Sequence, residues 1–235
     1  MSLRLSGVTL TYPDGDDGRV VAVDDASLTV EPGQVIALTG PSGCGKSSLL
    51  AVAGTLIRPD SGLVEIAGTA VGELFEPDRA RIRREQVGFI FQRDNLLPDL
   101  TVVEQLLLTA HLRGERPSRH REEARELLDA VGLAGQEETL PRRLSGGMRQ
   151  RVNIARALMG PRRVLLIDEP TSALDSQRGH DVIELIVRLT RERHLAALLV
   201  THDLASLNVG RPGGVDGLIE MLDGRLIGGD QTAVS

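Results

Sequence analysis

The stretch GPSGCGKSS, residues 40–48, places one lysine and a pair of hydroxyls behind three glycines. Of the chain's 27 lysines and arginines, Lys46 alone is a lysine. Glycines let a backbone curl until several N–H groups face one point, and a following helix adds the positive end of its dipole. Chemically this is a phosphate cradle, with Gly40, Pro41, Ser42, Gly43, Cys44, Gly45, Lys46, Ser47 and Ser48 as its members. A compact ammonium can thread such a loop to the β- and γ-phosphates. A planar guanidinium would collide with it, which accounts for the single lysine. The hydroxyl of Ser47 suits Mg²⁺. The spacing fits G-x-x-x-x-G-K-[ST], a pattern that needs a strand before it and a helix after it.

Matching chemistry stands elsewhere. Asp168 and Glu169 end the apolar run VLLIDE. There the first carboxylate suits Mg²⁺ and the second suits general-base activation of water. Gln92 ends VGFIFQ and suits either a metal or a water, and His202 ends ALLVTH, where an imidazole can hydrogen-bond a γ-phosphate. The other histidines, His111, His120, His180 and His194, stand in polar or helical contexts and are expected in solvent.

Four short apolar runs therefore deliver all of this: 35–40, 87–92, 164–169 and 197–202. Such runs read as strands of a parallel sheet buried on both faces. Ligands of open α/β sheets bind beyond the carboxyl ends of the strands, where these four groups fall. Helices are predicted over 46–57, 101–112, 118–132, 145–161 and 180–193. Thr101 and Glu104 stand at capping-box spacing, and Gly132 makes a stop signal. Residues 1–30 alternate like antiparallel strands around PDGDDG. The expected fold is α/β, a P-loop core of mostly parallel sheet with helices, an N-terminal antiparallel β subdomain and an inserted helical subdomain. The division expected is one domain over 1–235, with the core in 1–92 and 161–235 and the helical subdomain in 93–160.

Composition sets outer limits. Aromatics are 2% of 235 residues against 41% hydrophobic, so the core must be aliphatic. The net charge of −6 argues against a nucleic-acid surface, and a single cysteine excludes an intrachain disulfide. The opening MSLRLSGVTLTYPDG lacks the apolar stretch of a secretory leader, and no run approaches a membrane span. The arginine-rich run 113–125 has interspersed acids and reads as a solvated helix face.

Taken in order, GPSGCGKS, Gln92, LSGGMRQRV (144–152), LLIDEPTSALD and His202 resemble the ABC-type ATPases over nearly the whole chain. The resemblance implies ATP and Mg²⁺ as cofactors, with Ser47, Gln92 and Asp168 at the metal and Lys46, Gln92, Glu169 and His202 in catalysis. It also implies that Tyr12 stacks on adenine. Ser145, Gly146 and Gly147 would bind the γ-phosphate held by an opposite subunit in an ATP-sandwiched homodimer. Residues 172–175 resemble the loop that crosses that dimer interface. Ser48 and Met148 differ from the commoner Thr and Glu or Gln, and neither change removes a ligand. Segment 79–108 is similar to the macrolide-efflux, lipoprotein-release and cell-division branch. That branch implies integral membrane permease subunits as partners and a place on the cytoplasmic face of the membrane. DEPTSALD is also at home in importers of small solutes, and a soluble ATPase with a non-membrane partner is the remaining class.

Overall fold

A computed structural model of the chain describes residues 2–15, 18–172 and 176–227. Strands β1 (Leu3–Asp14) and β2 (Gly18–Val30) pair antiparallel. With β4 (Ser61–Ile66) and β5 (Thr69–Ala70) they form a four-stranded sheet in the order β2-β1-β4-β5. The larger sheet has six strands: β3 (Val35–Thr39), β6 (Val87–Ile90), β7 (Val164–Asp168), β8 (Ala196–Val200), β9 (Gly217–Leu222) and β10 (Arg225–Ile227). Its order is β10-β9-β3-β8-β7-β6, parallel except for the β9–β10 hairpin. The four apolar runs are thus neighbours, as the sequence predicts, and their carboxyl ends share one edge.

Period-two geometry divides the parallel strands between two cores. Val35, Ala37, Leu165, Ile167, Ala197 and Leu199 pack with the apolar faces of helices α3 (Val102–Leu112), α4 (Arg121–Ala130), α5 (Gly146–Leu158) and α6 (Ser176–Glu192). Their neighbours Ile36, Leu38, Val164, Leu166, Ala196 and Leu198 face the other way, onto the antiparallel sheet and helix α1 (Lys46–Ala53). With both faces covered, no strand can alternate apolar with polar. That is why these strands read as unbroken apolar runs.

Helix α1 is shorter than predicted. It ends in a Schellman arrangement, with Thr55 N–H donating to the Val52 carbonyl (2.9 Å), Leu56 N–H to the Ala51 carbonyl (2.8 Å), and Thr55 left-handed at φ 60°. The Arg83 guanidinium of α2 (Glu76–Gln86) seals that end by donating to the Thr55 carbonyl at 2.6 Å. The sequence reading named neither α2 nor the β4, β5, β9 and β10 strands. Between β6 and β7 lie α3, α4 and α5, consistent with the helical character expected of that span.

Two expectations on charge and histidine are corrected. His120 is half-buried between carboxylates, with Nε2 2.9 Å from Glu115 and Nδ1 3.1 Å from Glu123. His180 is half-buried as well. Arg113, in the run read as solvated, has its side chain only 2% exposed and donates to the Met159 carbonyl at 3.1 Å while pairing with Glu115. The polar knot joins the α3–α4 connection to the end of α5. That gives these groups partners that local sequence does not show.

The Thr101–Glu104 capping box forms as predicted. Glu104 Oε2 accepts from Thr101 N–H at 2.8 Å, and Thr101 Oγ1 accepts from Glu104 N–H at 3.4 Å. The Thr101 N–H, then its hydroxyl, hold the Glu104 carboxyl below its ordinary range. Replacing Thr101 with Ala should cost about 1 kcal/mol in urea unfolding at neutral pH. Because the folded pKa is the lower one, the carboxylate's share is present above the ordinary Glu value and is lost as pH falls through the depressed one. The wild-type advantage should therefore shrink in acid.

Candidate functional site

The cradle is wedged between the two sheets. Gly40 (φ 144°), Gly43 (φ 82°) and Gly45 (φ 108°) take conformations that side chains rarely adopt. At two of them space is also closed. A Cβ on Gly40 would stand 2.1 Å from the Met221 carbonyl oxygen of β9, and one on Gly45 would stand 2.0 Å from that of Ala22 in β2. Gly224, in the β9–β10 turn, donates to the Cys44 carbonyl at 3.0 Å. The glycine-rich tail thus supplies a wall of the loop, a role the sequence reading did not find.

Lys46 Nζ donates to the carbonyls of Gly40 and Pro41, each at 2.8 Å, and lies 3.7 Å from Cys44 Sγ. The ammonium therefore sits under the arch of the loop at the first residue of α1, where the helix's leading N–H groups have no intrahelical acceptor. Pro41, Ser42 and Ser47 are exposed, whereas Cys44 is only 6% exposed beneath the loop. Tyr12, on β1, is 38% exposed, and its hydroxyl reaches to 3.4 Å from Ser48 Oγ, so an aromatic face stands beside the cradle.

Asp168 closes β7, in register with Val200. Burial raises its pKa, the neighbouring Glu169 raises it further, and Lys46 opposes both. A carboxylate so placed gains from a cation. Glu169 follows at φ 47°, a strained conformation for a non-glycine residue, fixed by its N–H donating to the Val200 carbonyl at 2.9 Å. His202 Nδ1 approaches Glu169 Oε2 to 2.6 Å, close enough for an ion pair but outside hydrogen-bond alignment, which leaves that buried oxygen without a hydrogen-bond partner. His202 is 69% exposed against 17% for Glu169. The carboxylate is held and the imidazole is open to solvent.

Gln92 and the start of α5 meet in a second place. Gln92, Gly146, Gln150 and Pro170, the residue after Glu169, line one cavity of about 350 Å³ with Arg93, Asp94, Asn95 and Arg149. Ser145 caps α5, its Oγ accepting from Met148 N–H at 3.2 Å. Ser145 and Gly146 are exposed. A Cβ on Gly147 would meet nothing within 4 Å, and one on Gly146 only Arg149 Nη2 at 3.8 Å. Packing within the chain gives no reason for glycine at either position. Residues 173–175, expected at a dimer interface, lie outside the described residues.

Polar residues of α5, unnoticed in the sequence, grip the chain after β6. Asn153 Nδ2 donates to the Phe91 carbonyl (3.2 Å), and Arg156 donates to those of Asp94 (2.7 Å) and Asn95 (3.0 Å). Arg149 Nε pairs with Asp94 Oδ2 at 2.9 Å. Burial lowers the pKa of Arg156, with Asp94 opposing. From α3, Gln105 Nε2 donates to the Leu97 and Leu100 carbonyls at 2.7 and 3.0 Å. The one available signal was polar residues at buried helical spacing.

The donors fit Mg²⁺. Ser47 hydroxyl, Gln92 amide oxygen and Asp168 carboxylate are hard oxygens of the kind this ion takes. Among the described residues no cluster of three or more His, Cys, Asp or Glu forms a cage.

Comparison with known proteins gives one consistent result. The family model described as ABC transporter matches residues 23–172. The chain is 42% identical over 226 residues to the macrolide export ATP-binding/permease protein MacB of Burkholderia thailandensis, covering 96% of this chain and 34% of that protein. It is 40% identical over 226 residues to the probable syringafactin export ATP-binding/permease protein SyfD of Pseudomonas syringae pv. syringae, covering 96% of this chain and 33% of that one. It thus spans about a third of the length of these relatives. A solved dimer of the ATP-binding cassette MJ0796 bound to ADP and Pi superposes with a TM-score of 0.82 at 33% identity, covering 95% of this chain and 96% of that one.

Asp168 offers a direct check on the electrostatics. Its folded pKa lies above the unfolded value, so ionising it above the ordinary carboxylate range subtracts from stability. Asp168→Asn should raise the thermal midpoint of the nucleotide-free protein at pH 7. The gain should vanish below the ordinary Asp pKa, where wild type is protonated in both states.

Proposed function

The chain belongs to the ABC transporter family, and we propose that it is an ATP-hydrolysing cassette that binds Mg-ATP between two copies of itself to drive a membrane permease from the cytoplasmic face. The observation that carries the hydrolytic chemistry is the shared edge of β3, β6, β7 and β8. Beyond it stand the Lys46 loop, Gln92, the Asp168–Glu169 pair and His202.

Lys46 and the loop N–H groups neutralise the phosphates, and Tyr12 presents its ring to the base. Ser47, Gln92 and Asp168 would hold Mg²⁺, which would offset charge developing on the phosphates. Glu169, fixed by the Val200 carbonyl, takes the proton of the attacking water. His202, beside the same carboxylate and open to solvent, contacts the γ-phosphate.

The homodimer rests on Gly146 and Gly147. Glycines that nothing in their own chain requires, at an exposed helix N-terminus, suit close approach by an anion from outside. A two-fold axis would set Ser145, Gly146 and Gly147 of each copy over the phosphate loop of the other.

Among the described residues no helix is long and apolar enough to cross a membrane. The exposed Phe91 and Leu97 on the segment after β6 supply a docking surface for the permease, and the permease-fused relatives favour the efflux branch over an importer. The helices packed on that segment, within the 93–160 unit, transmit the change.

Lys46→Ala should abolish nucleotide binding. Glu169→Gln should bind ATP and lose turnover by about 10²–10⁴-fold, the worth of a general base. Size-exclusion chromatography of Glu169→Gln should show a dimer with Mg-ATP and a monomer without it, and Glu169→Gln/Ser145→Arg should stay monomeric in both. A dimer indifferent to ATP and to Ser145 rules out the sandwich, and wild-type turnover by Glu169→Gln rules out the base. Co-purification with a permease separates the transport reading from a soluble partner.

A further inference from the structure

Gln150 has no place in the chemistry above, yet its surroundings are unusual. It is 7% exposed, and its Nε2 is buried without a hydrogen-bond partner. A buried donor left unmade is costly and rare, so a second state in which it is satisfied is the natural account. Gln150 follows Gly146 by four residues, on the same helix face, and both line the cavity with Gln92, Arg93 and Pro170.

What the donor lacks can be read from its neighbours. Helix α5 takes the carbonyls of Phe91 through Asn153 and those of Asp94 and Asn95 through Arg156. Among the described hydrogen bonds from α5, the carbonyls of Gln92 and Arg93 are the two passed over in that turn. Arg149 and Gln150 are the polar residues of α5 that share a cavity with both, and Arg149 already donates to Asp94 and to the Leu144 carbonyl. Asp94, the carboxylate of that cavity, is already paired with Arg149.

We propose that Gln150 is a positioning residue for Gln92: with nucleotide bound, its free Nε2–H donates to the main-chain carbonyl of Gln92 and holds that turn where the Gln92 side chain reaches the metal. The proposal rests on the Mg-ATP reading above. It makes α5 carry the dimer contact at its N-terminus and the metal-sensing contact one turn later, so that engagement of Gly146 and placement of Gln92 occur together. Gln150 touches neither nucleotide nor metal itself.

The test compares wild type, Gln150→Met (similar length, no donor), Gln150→Glu and Gln92→Ala, alone and with Gln150→Met, in Mg-ATP hydrolysis by the full chain. For Gln150→Met we expect kcat to fall about tenfold, the worth of one hydrogen bond, and half-saturating Mg²⁺ to rise, with KM for ATP changed less than twofold. The nucleotide-free thermal midpoint should hold or rise, because an unpartnered buried donor has been removed. Gln92→Ala/Gln150→Met should be no worse than Gln92→Ala, since both act through one group. Gln150→Glu should recover activity as pH falls and its carboxyl gains a proton to donate, a profile that a packing role does not produce.

Wild-type kcat and Mg²⁺ dependence in Gln150→Met, beside active wild type, overturns the proposal and leaves the ATPase reading intact. A lowered nucleotide-free midpoint with additive loss in the double variant makes Gln150 structural and also overturns it. Should Gln150→Met not fold, the pH profile of Gln150→Glu decides, and a profile parallel to wild type refutes the proposal. Wild type that neither binds nor turns over Mg-ATP removes the reading and the proposal together.

Discussion

The loop at residues 40–48 is clamped from both sides by main chain, and the architecture of the site follows from that clamp. Ala22 of β2 closes on Gly45, and Met221 of β9 closes on Gly40. One wall belongs to the antiparallel sheet and the other to β9, the strand beside β3 in the larger sheet. A phosphate cradle made by backbone N–H groups needs those groups fixed before ligand arrives, because each would otherwise be ordered on binding. Here two sheets do the fixing, and Lys46 fills the arch by donating to the carbonyls of Gly40 and Pro41. The same ammonium moderates the pKa of Asp168 across the edge of the sheet. Cradle and carboxylate are thus electrostatically linked before any nucleotide is present.

Parallel pairing extends that fixed edge. Leu38, Val200 and Asp168 lie in register across β3, β8 and β7, so the groups after them leave the sheet side by side. Glu169 is bent into the left-handed region at this point, held by the Val200 carbonyl. Such strain persists only where surrounding structure over-determines it. Here a hydrogen bond from an adjacent strand does so.

What was legible in the sequence follows from this burial. Strands covered on both faces have few polar positions, so VIALT, VLLID and AALLV stood out as apolar runs, each ending at or just before a candidate site residue. The capping box at Thr101 was legible because it is local. By contrast, β9 reads as GLIEML, with a glutamate toward its carboxyl end, after a glycine-rich connection; nothing local says that Met221 packs on Gly40. Asn153, Arg156 and Gln150 look like the solvated face of a helix until tertiary structure lays residues 91–95 along it. Arg113 and His120 were misplaced for the same reason. A polar residue announces its need for a partner, but only the fold shows whether water or protein supplies it.

The grip of α5 on residues 91–95 also bears on how a signal could leave the edge. The cradle is anchored to the sheets by backbone wedges, which have no alternative arrangement: moving Gly40 or Gly45 means moving a strand. The segment after β6 is held by side chains of α5 and α3, Asn153, Arg156 and Gln105 among them, and side-chain hydrogen bonds can be exchanged one for another. Gln92 stands at the junction of the two regimes, one residue past a carbonyl claimed by α5 and two past the end of a buried strand. A change at the phosphates therefore has one compliant direction in which to travel, from Gln92 into the helices. The exposed Phe91 and Leu97 lie along that direction, where a docked partner would feel it.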